Sequence, residues 1–373
     1  MAPPHRILVT GAAGYIGRFV CQELARCGFL PIVFDDFSRG RTPSGIPGFA
    51  EHGSMTEERL GSVMAGHRPA AVIHLAGGRG GRHQTASGVA PARFQTEWKP
   101  VGRPESAPDL KSRARAHSDA KPVPTFAECA LEDPNLGGTR MLLAAMAELE
   151  VRHIVLASSA AVYGDAGAVH AGEDAPLRGT SPYGHAKIAA EGLVRAWGDE
   201  PDRGWVILRY ANAAGADPES MLGWYPGDRT IVPSAIAVAS GERAAFELFG
   251  AAFPTRDRTA VRDFVHCWDI AAATVHVVRQ CLGCGLKEIF NVASGRGVSV
   301  AEIVAAAEQV TSRRIPVIRH DARDGEVASL VLSADRLARF GFTPRHSDLG
   351  TILSSAWAWH RRAPDRPISA HGH

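Results

Sequence analysis

The sequence predicts an α/β protein with a doubly wound parallel sheet and a smaller C-terminal lobe. Up to Tyr210, short apolar runs alternate with longer amphipathic stretches, which is typical of repeated strand–helix–strand units. A glycine-rich turn stands between the first apolar run and the first amphipathic stretch. After Tyr210 the alternation becomes irregular, as we expect of a second, smaller lobe that lies over the sheet.

The elements of the first half follow from the spacing of their apolar residues. Strands are predicted where apolar residues run together, at Arg6–Thr10, Pro31–Asp35, Ala71–Leu75, His153–Ser158 and Trp205–Tyr210. Helices are predicted where apolar residues recur at helical spacing, at Tyr15–Cys27, Thr56–Gly66, Leu136–Glu150 and Tyr183–Trp197. This order gives a parallel sheet with helices on both faces.

The second half contains more widely spaced elements. Helices are predicted at Val232–Ser240, Trp268–Cys281, Val300–Val310 and Leu349–Arg361, and a strand at Phe246–Phe249. We therefore divide the chain into a sheet domain over residues 1–210 and a lobe over residues 211–373. An insertion at about residues 77–130 is rich in Gly, Pro, Arg, Ser and Ala. Its composition favours disorder, while a functional lid and a gene-model artefact stay open.

Composition bounds the choice of partner and location. The 373 residues carry 41 Lys and Arg against 39 Asp and Glu, so no strong field favours nucleic acid or an anionic membrane. No stretch approaches the roughly 20 apolar residues of a membrane span, and the N-terminus lacks a signal-peptide core. We expect a cytoplasmic protein with a small-molecule partner. The six cysteines are expected to be reduced thiols, and no metal is expected because Cys281 and Cys284 lack a second ligand pair.

The glycine-rich turn is typical of a dinucleotide site on a Rossmann-type sheet. Its sequence follows the first strand and opens a helix, which is the context that makes the glycine spacing informative: Val9-Thr-Gly-Ala-Ala-Gly-Tyr-Ile-Gly17. Gly11 permits the tight turn, Gly14 lets the backbone approach a pyrophosphate, and Gly17 permits close packing of helix on strand. A flavin or another nucleotide could use similar geometry.

A carboxylate at the end of the second strand indicates which dinucleotide binds. Asp35 stands 18 residues after Gly17, where it can accept hydrogen bonds from both hydroxyls of an adenosine ribose. It would repel the 2′-phosphate of NADP, so NAD is predicted. Arg39 and Arg41 keep NADP open, and a simple turn cap with Asp36 is the structural alternative.

Candidate catalytic residues lie on the fourth helix and the fourth strand. Tyr183 and Lys187 are one helical turn apart, so both side chains project from one face. A phenol needs positive charge nearby to act as a base, and an ammonium and a nicotinamide ring would supply it. Ser159 follows the fourth strand, where its hydroxyl could share the proton path. A surface tyrosine beside a solvated lysine and a turn-capping serine are the structural alternatives.

The chain resembles the UDP-glucose (UDP-galactose) 4-epimerases, extended short-chain dehydrogenases/reductases, over about residues 6–76 and 130–362. The motifs that carry this resemblance are VTGAAGYIG, VIHLAG, Ser159-Ala-Ala-Val-Tyr-Gly164, SPYGHAK, Leu208-Arg-Tyr-Ala-Asn-Ala-Ala-Gly-Ala216, Leu248-Phe-Gly250, Val261-Arg-Asp-Phe-Val-His266, Phe290-Asn-Val-Ala-Ser-Gly295 and the closing Trp357-Ala-Trp. The resemblance implies an NAD-binding sheet domain, a nucleotide-sugar-binding lobe and a homodimer.

The resemblance also implies roles for individual residues. Ser159, Tyr183 and Lys187 would be the catalytic set, and the cofactor would be held by Gly11, Gly14, Tyr15, Ile16, Gly17, Asp35, Asn135, Tyr183 and Lys187. Asn212, Arg262, Arg323 and Glu326 resemble the residues that hold the nucleotide diphosphate, and Leu330 stands at the gate for the size of the sugar substituent. For Arg262, an ion pair with Asp263 or Asp269 is the structural alternative to a phosphate clamp.

Several positions depart from the family pattern. They are Ser54 for an aspartate, Ala161 for a threonine, Ala211 for a phenylalanine and Arg79 for a lysine. The predicted activity is 4-epimerisation of a UDP-hexose through a 4-keto intermediate. A 4,6-dehydratase, a UDP-pentose or UDP-uronate epimerase and a non-catalytic NAD-binding sensor are the alternatives. Ala160 and Ala161 count against a dehydratase, which needs an Asp-Glu pair there, and the Tyr–Lys pair counts against a sensor.

Overall fold

A computed structural model describes residues 4–38, 45–77, 134–165, 167, 170–219, 221–225, 228–323 and 325–362. Almost all of the predicted insertion, together with Arg39, Arg41 and Arg79, lies outside the described residues. Within the described part of the chain, no helix combines the length and the apolar character that crossing a bilayer requires.

A seven-stranded parallel sheet forms the larger layer of the molecule. Its strands are β1 (Arg6–Thr10), β2 (Leu30–Asp35), β3 (Phe49–His52), β4 (Ala71–His74), β5 (His153–Ser159), β6 (Gly204–Tyr210) and β10 (Lys287–Val292). They lie in the order β10-β6-β5-β4-β1-β2-β3, so the connections run outwards from β1 in both directions. This order confirms the doubly wound fold, and it brings the carboxyl ends of β1, β4 and β5 together at one edge.

Helices cover both faces of this sheet. On one face lie α1 (Tyr15–Arg26) and α6 (Cys267–Cys284); on the other lie α2 (Glu57–His67), α3 (Pro134–Glu148) and α4 (Pro182–Trp197). Each helix buries an apolar stripe, such as Phe19, Val20 and Leu24 of α1 against α6. The five inner strands β1, β2, β4, β5 and β6 are buried over most of their length, as in other parallel sheets covered on both sides, whereas the edge strand β3 is largely exposed.

The smaller lobe is a mixed structure with its own apolar cluster. Strand β9 (Val261–His266) lies at its centre and pairs with β7 (Asn212–Ala214), β11 (Gly297–Ser299) and β13 (Ser329–Leu330), while β8 (Phe246–Phe249) pairs with β12 (Val317–His320). The cluster joins α5 (Ile231–Ala239), α7 (Val300–Thr311) and α9 (Leu349–Arg362), and α8 (Asp335–Arg339) packs against β10.

The predicted strands and helices are confirmed, with ends that shift by at most three residues. In the large sheet, strands β3 and β10 were not predicted; in the smaller lobe, the short strands β7, β11, β12 and β13 and the short helix α8 were not predicted either. Lys287–Val292 begins with two charged residues and therefore lacks a continuous apolar run, yet it pairs in register with Trp205–Tyr210. The chain thus returns to the sheet after residue 210. The division into two domains at that residue stays a prediction.

Candidate active site

The glycine loop connects β1 to α1 through close backbone contacts. Gly11 has a φ of +70°, and a Cβ added there would lie 2.8 Å from the Ala76 nitrogen, so this position requires glycine. Gly14 is the N-cap of α1 and makes no side-chain hydrogen bond, which leaves the helix start open to an anionic group. A Cβ on Gly17 would lie 2.4 Å from the Gly11 carbonyl oxygen. Gly17 therefore packs the start of the helix on this loop, and the predicted packing on the strand stays a prediction.

Asp35 ends β2 beside this loop. Its Oδ2 accepts a hydrogen bond from the Ala13 nitrogen at 2.9 Å, and its Oδ1 accepts one from the Phe37 nitrogen at 2.9 Å. Burial raises the pKa of the Asp35 carboxyl. Asp35 therefore caps a turn at Phe37, and Asp36 caps a separate turn at Ser38. Each Asp35 oxygen still has acceptor capacity for a ribose hydroxyl.

Tyr15 and Ile16, the first residues of α1, face protein rather than the loop. The Tyr15 hydroxyl donates to the carbonyl oxygen of Gly215 in the smaller lobe, and burial raises the pKa of this phenol. Ile16 is partly buried against the main apolar core. Through their side chains, these residues tie α1 to its surroundings, so any contact with the cofactor would come from their backbone.

Tyr183 and Lys187 lie on one face of α4 and line a small cavity. Ser181 caps this helix by accepting from the Gly184 nitrogen at 3.1 Å, and Pro182 occupies its first turn. Lys187 is only 8% exposed, and its Nζ lies 5.8 Å from the ring centroid of Tyr183. The cavity is also lined by Ala76, Gly77, Leu136 and Thr139, which places it beside the glycine loop.

Ser159 ends β5 next to the start of α4. Its Oγ accepts from the Ala161 nitrogen at 3.2 Å and caps the short 3₁₀ turn Ala160–Val162, as the structural alternative anticipated. The first turn of α4 packs directly on this capped turn, because a Cβ on Gly184 would lie 2.6 Å from the Ala161 carbonyl oxygen. Gly184 therefore sets how closely Tyr183 approaches the end of β5. Sequence analysis gave Gly184 no role, although it stands inside the SPYGHAK motif.

His74 is a second residue that sequence analysis left without a role. It ends β4, is 2% exposed, and hydrogen-bonds through its two ring nitrogens to Thr10 Oγ1 at 2.7 Å and Thr139 Oγ1 at 2.9 Å. Burial, with a smaller contribution from the nearby Lys187 charge, lowers the pKa of His74 to about 3. A neutral imidazole therefore joins the end of β1 to α3 beneath the cavity.

A buried ion pair lies behind the Tyr–Lys pair. Glu191, one turn beyond Lys187 on α4, accepts two hydrogen bonds from the guanidinium of Arg209 on β6, at 3.0 and 2.7 Å. Burial opposes the charge of Arg209, but the hydrogen bonds from Glu191 prevail and hold its pKa above the usual value. The two side chains are each 3% exposed.

Asn135 lies in the first turn of α3, the helix that carries Leu136 and Thr139 to the cavity. Its backbone position is compatible with the predicted contact near the nicotinamide end. The side chain of Asn135 lies outside the described residues, and its role stays a prediction.

The predicted substrate residues gather around β9 in the smaller lobe. Arg262 lies on β9 beside Leu330 of β13, and its Nη2 is 3.9 Å from Glu326 Oε1. Glu326 is therefore an ion-pair partner of Arg262. The carboxylates of Asp263 and Asp269 accept backbone hydrogen bonds from other segments: residues 294, 295 and 332 for the first, and 345 and 346 for the second.

Two further predicted residues flank this group. The Arg323 guanidinium lies 3.6 Å from the centroid of the Phe249 ring, and the backbone nitrogen of Arg323 donates to Glu326 Oε2 at 3.2 Å. Asn212 lies on β7 and pairs with Phe264 of β9. Glu326 thus contacts the guanidinium of Arg262 and the backbone of Arg323, while the Arg323 guanidinium lies over the Phe249 ring.

The backbone at Gly325 connects this group to the segment that leads into α4. The Thr180 hydroxyl donates to the Gly325 carbonyl oxygen at 3.2 Å, and a Cβ on Gly325 would lie 2.8 Å from the Thr180 carbonyl oxygen. Thr180 is three residues before Tyr183. The fold therefore brings the predicted phosphate-binding arginines and the predicted catalytic pair to one region between the lobes.

The chain is similar to known proteins over almost its full length. The model of the NAD dependent epimerase/dehydratase family matches residues 7–93 and 127–293. The UDP-glucose 4-epimerase of Rhizobium leguminosarum bv. trifolii is 34% identical over 360 residues, which cover 96% of this chain and 98% of the relative. That of Rhizobium meliloti (strain 1021) is 33% identical over 361 residues, with the same coverage.

Solved structures extend the similarity to the fold. The UDP-glucose 4-epimerase from Brucella ovis in complex with NAD superposes with a TM-score of 0.76 at 29% identity, over 95% of this chain and 97% of that one. The enzyme from Stenotrophomonas maltophila, with bound NAD and formylated UDP-arabinopyranose, gives a TM-score of 0.78 at 27% identity, over 96% and 98% of the two chains.

The doubly wound sheet, the glycine loop and the Tyr–Lys pair define a dinucleotide-dependent short-chain dehydrogenase/reductase of the extended type. This chain belongs to the NAD dependent epimerase/dehydratase family, as a member similar to the UDP-glucose 4-epimerases. The resemblance noted in the sequence is thereby confirmed, and so is NAD as the cofactor of the family. The residues present fit this group, since added Cβ atoms at Gly11 and Gly17 would clash within the loop that cradles it and Asp35 stands beside that loop.

Proposed function

We propose that this protein is an NAD-dependent 4-epimerase that interconverts UDP-hexoses of the glucose and galactose type. One observation carries the proposal: the turn that bears Arg323 and Glu326 packs on Thr180, next to the helix of Tyr183 and Lys187. A group that can hold a diphosphate therefore lies beside a group that can remove a proton. An epimerase of a nucleotide sugar needs both within the length of one substrate.

In this proposal Gly11, Gly14 and the start of α1 hold the pyrophosphate of the cofactor, and Asp35 accepts from its adenosine ribose. When bound, NAD supplies reversible hydride acceptance at the carbon being inverted. Tyr183 removes the proton of the sugar 4-hydroxyl, and the ammonium of Lys187 stabilises the resulting charge. Ser159 shares the proton with Tyr183 at the same oxygen, and the sugar becomes a 4-keto intermediate.

Inversion requires that the intermediate present its other face. Arg262 and Arg323 would hold the diphosphate by charge-assisted hydrogen bonds while the sugar turns about that tether. Tyr183 then returns the proton to the 4-oxygen. No net oxidation occurs, so the chain can keep its cofactor through many turnovers. Firm binding of the nucleotide half and loose binding of the hexose favour this sequence.

A Tyr183→Phe variant tests the proposal. We expect kcat with UDP-galactose to fall by about 10²–10⁴-fold, because general acid–base catalysis contributes on that order. The content of bound NAD, measured after denaturation, should stay at the wild-type value. Tyr210→Phe is the matched control, since it removes a buried tyrosine hydroxyl that bonds to Thr274 on the opposite face of the sheet. Unchanged epimerisation by Tyr183→Phe would remove this tyrosine from the mechanism.

We also propose a homodimer and a cytoplasmic location. The dimer would form through the helices of the sheet domain, where Met141 of α3 leaves 41% of its surface exposed. Light scattering of the purified protein tests this assembly, and a monomer at working concentration would contradict it. The cytoplasm keeps thiols reduced, which suits the five free cysteines of the described residues.

A further inference from the structure

A chain of buried polar groups links the catalytic helix to two strands of the sheet. Glu191 of α4 accepts from Arg209 of β6 through both carboxylate oxygens. It also accepts from the hydroxyl of Ser158, the residue before Ser159. All three linking residues are at least 97% buried. One carboxylate therefore connects α4 with both β5 and β6.

The same strand end receives a second contact from α4. Lys187 Nζ donates to the Ala157 carbonyl oxygen at 2.9 Å. Lys187 and Glu191 thus contact two successive residues of β5, Ala157 and Ser158, immediately before Ser159. Because Tyr183, Lys187 and Glu191 lie one turn apart on the same face of α4, these contacts fix how the face with Tyr183 sits over the end of β5.

The guanidinium nitrogen of Arg209 that does not contact Glu191 is held by the segment that follows the Ser159 turn. Its Nη1 donates to the Tyr163 hydroxyl at 2.9 Å and to the Glu173 carbonyl oxygen at 2.8 Å. Tyr163 in turn donates to Asn291 Oδ1 at 2.7 Å on β10. Four of the five N–H donors of this guanidinium therefore point at fixed partners, and the pair has little freedom to shift.

Stability alone is a weak explanation for such a pair. Two charges lose their hydration on burial, so apolar side chains of similar volume often stabilise a protein as well or better. What apolar side chains lack is direction. A bidentate guanidinium–carboxylate pair with a third hydrogen bond specifies both the distance and the rotation of α4 relative to β5 and β6.

We propose that Glu191 and Arg209 are positioning residues for epimerisation: through Ser158 they hold α4 so that Tyr183 and Lys187 meet Ser159 at the reacting hydroxyl. The proposal rests on the function proposed above. It predicts that the pair contributes to kcat more than to substrate affinity, since it acts on the reacting end and not on the lobe that holds the diphosphate.

The test replaces the pair by apolar side chains of similar length, Glu191→Leu with Arg209→Met, so that no charge is left buried alone. We expect a folded protein with wild-type NAD content and a KM for UDP-galactose close to the wild-type value. Its kcat should fall by about 100-fold, the effect of displacing a catalytic group by about 1 Å. Thr274→Val is the matched control, because it removes a buried hydrogen bond to Tyr210, the next residue of β6, on the other face of the sheet.

A second variant decides the matter if the double variant does not fold. Ser158→Ala keeps the ion pair and removes only its link to β5, and kcat should fall by about tenfold, the worth of one buried hydrogen bond. A folded double variant with kcat within about twofold of wild type overturns the positioning role, and so does an unchanged kcat in Ser158→Ala. An inactive wild-type protein refutes the proposed epimerase instead, so the two failures are distinguishable.

Discussion

Acidification should destabilise this protein through two buried histidines. Burial lowers the pKa of His74 to about 3 and that of His266 to about 4, whereas an unfolded histidine titrates near 6.5. Both imidazoles are therefore neutral in the folded protein, and protonation favours the unfolded chain. Their contribution to stability is complete above pH 6.5 and is lost as the pH falls from there towards the folded pKa values.

The size of the effect follows from the shifts. Below pH 6.5, each histidine lowers the free energy of unfolding by about 1.4 kcal/mol per pH unit. Between pH 7 and pH 5 the loss is about 2 kcal/mol for each, or about 4 kcal/mol for both. Burial raises the pKa values of Asp35 and Asp263, so these carboxyls bind protons more readily in the folded protein. Their protonation at low pH therefore increases the free energy of unfolding, opposite to the effect of the histidines.

A comparison of variants isolates His74. Urea unfolding followed by tryptophan fluorescence at pH 7 and pH 5 gives the loss for wild type and for His74→Gln, and the carboxyl contributions cancel between them. The glutamine variant should lose about 2 kcal/mol less than wild type. His52→Gln, at an exposed position, is the matched control. If His74→Gln lost as much stability as wild type, the inferred neutral, buried imidazole would be wrong.

Two other predictions concern catalysis. Gly184→Ala places a Cβ 2.6 Å from the Ala161 carbonyl oxygen, so α4 must move away from the Ser159 turn. Steady-state assays should show a kcat about tenfold or more below wild type, and nucleotide extraction should show an unchanged NAD content. A wild-type kcat would show that this contact does not set the geometry. Leu330, a medium-sized residue beside Arg262, should allow only weak turnover of UDP-N-acetylhexosamines, and equal kcat/KM for acetylated and plain substrates would show that it is not the gate.

The fold could be predicted from the sequence because its signals are local. An apolar run such as Arg6–Thr10, followed by a glycine turn and an amphipathic helix, needs no information from elsewhere in the chain. Strand β10 could not be predicted in this way. Its place at the sheet edge depends on pairing with β6, some eighty residues earlier in the chain, and its charged first residues lie at the exposed end of the pair.

Some residues of the candidate site could likewise be predicted from local sequence, and others could not. Tyr183, Lys187 and the glycines stand in short motifs whose spacing carries a mechanism, so residue type and interval suffice to find them. Gly184, His74 and the Glu191–Arg209 pair have roles that arise only from packing between distant segments. A sequence shows a glycine at position 184, but only the structure shows the Ala161 carbonyl oxygen that makes a larger residue costly.

In the proposed epimerisation, the hydrogen at the inverted carbon leaves and returns without exchange with water, while Tyr183 moves only the hydroxyl proton. Incubation of the full-length protein with UDP-galactose in D₂O, followed by ¹H NMR of the recovered sugars, tests it most directly. We expect UDP-glucose that retains its hydrogen at C4. Absence of UDP-glucose, or deuterium at that carbon, would contradict it.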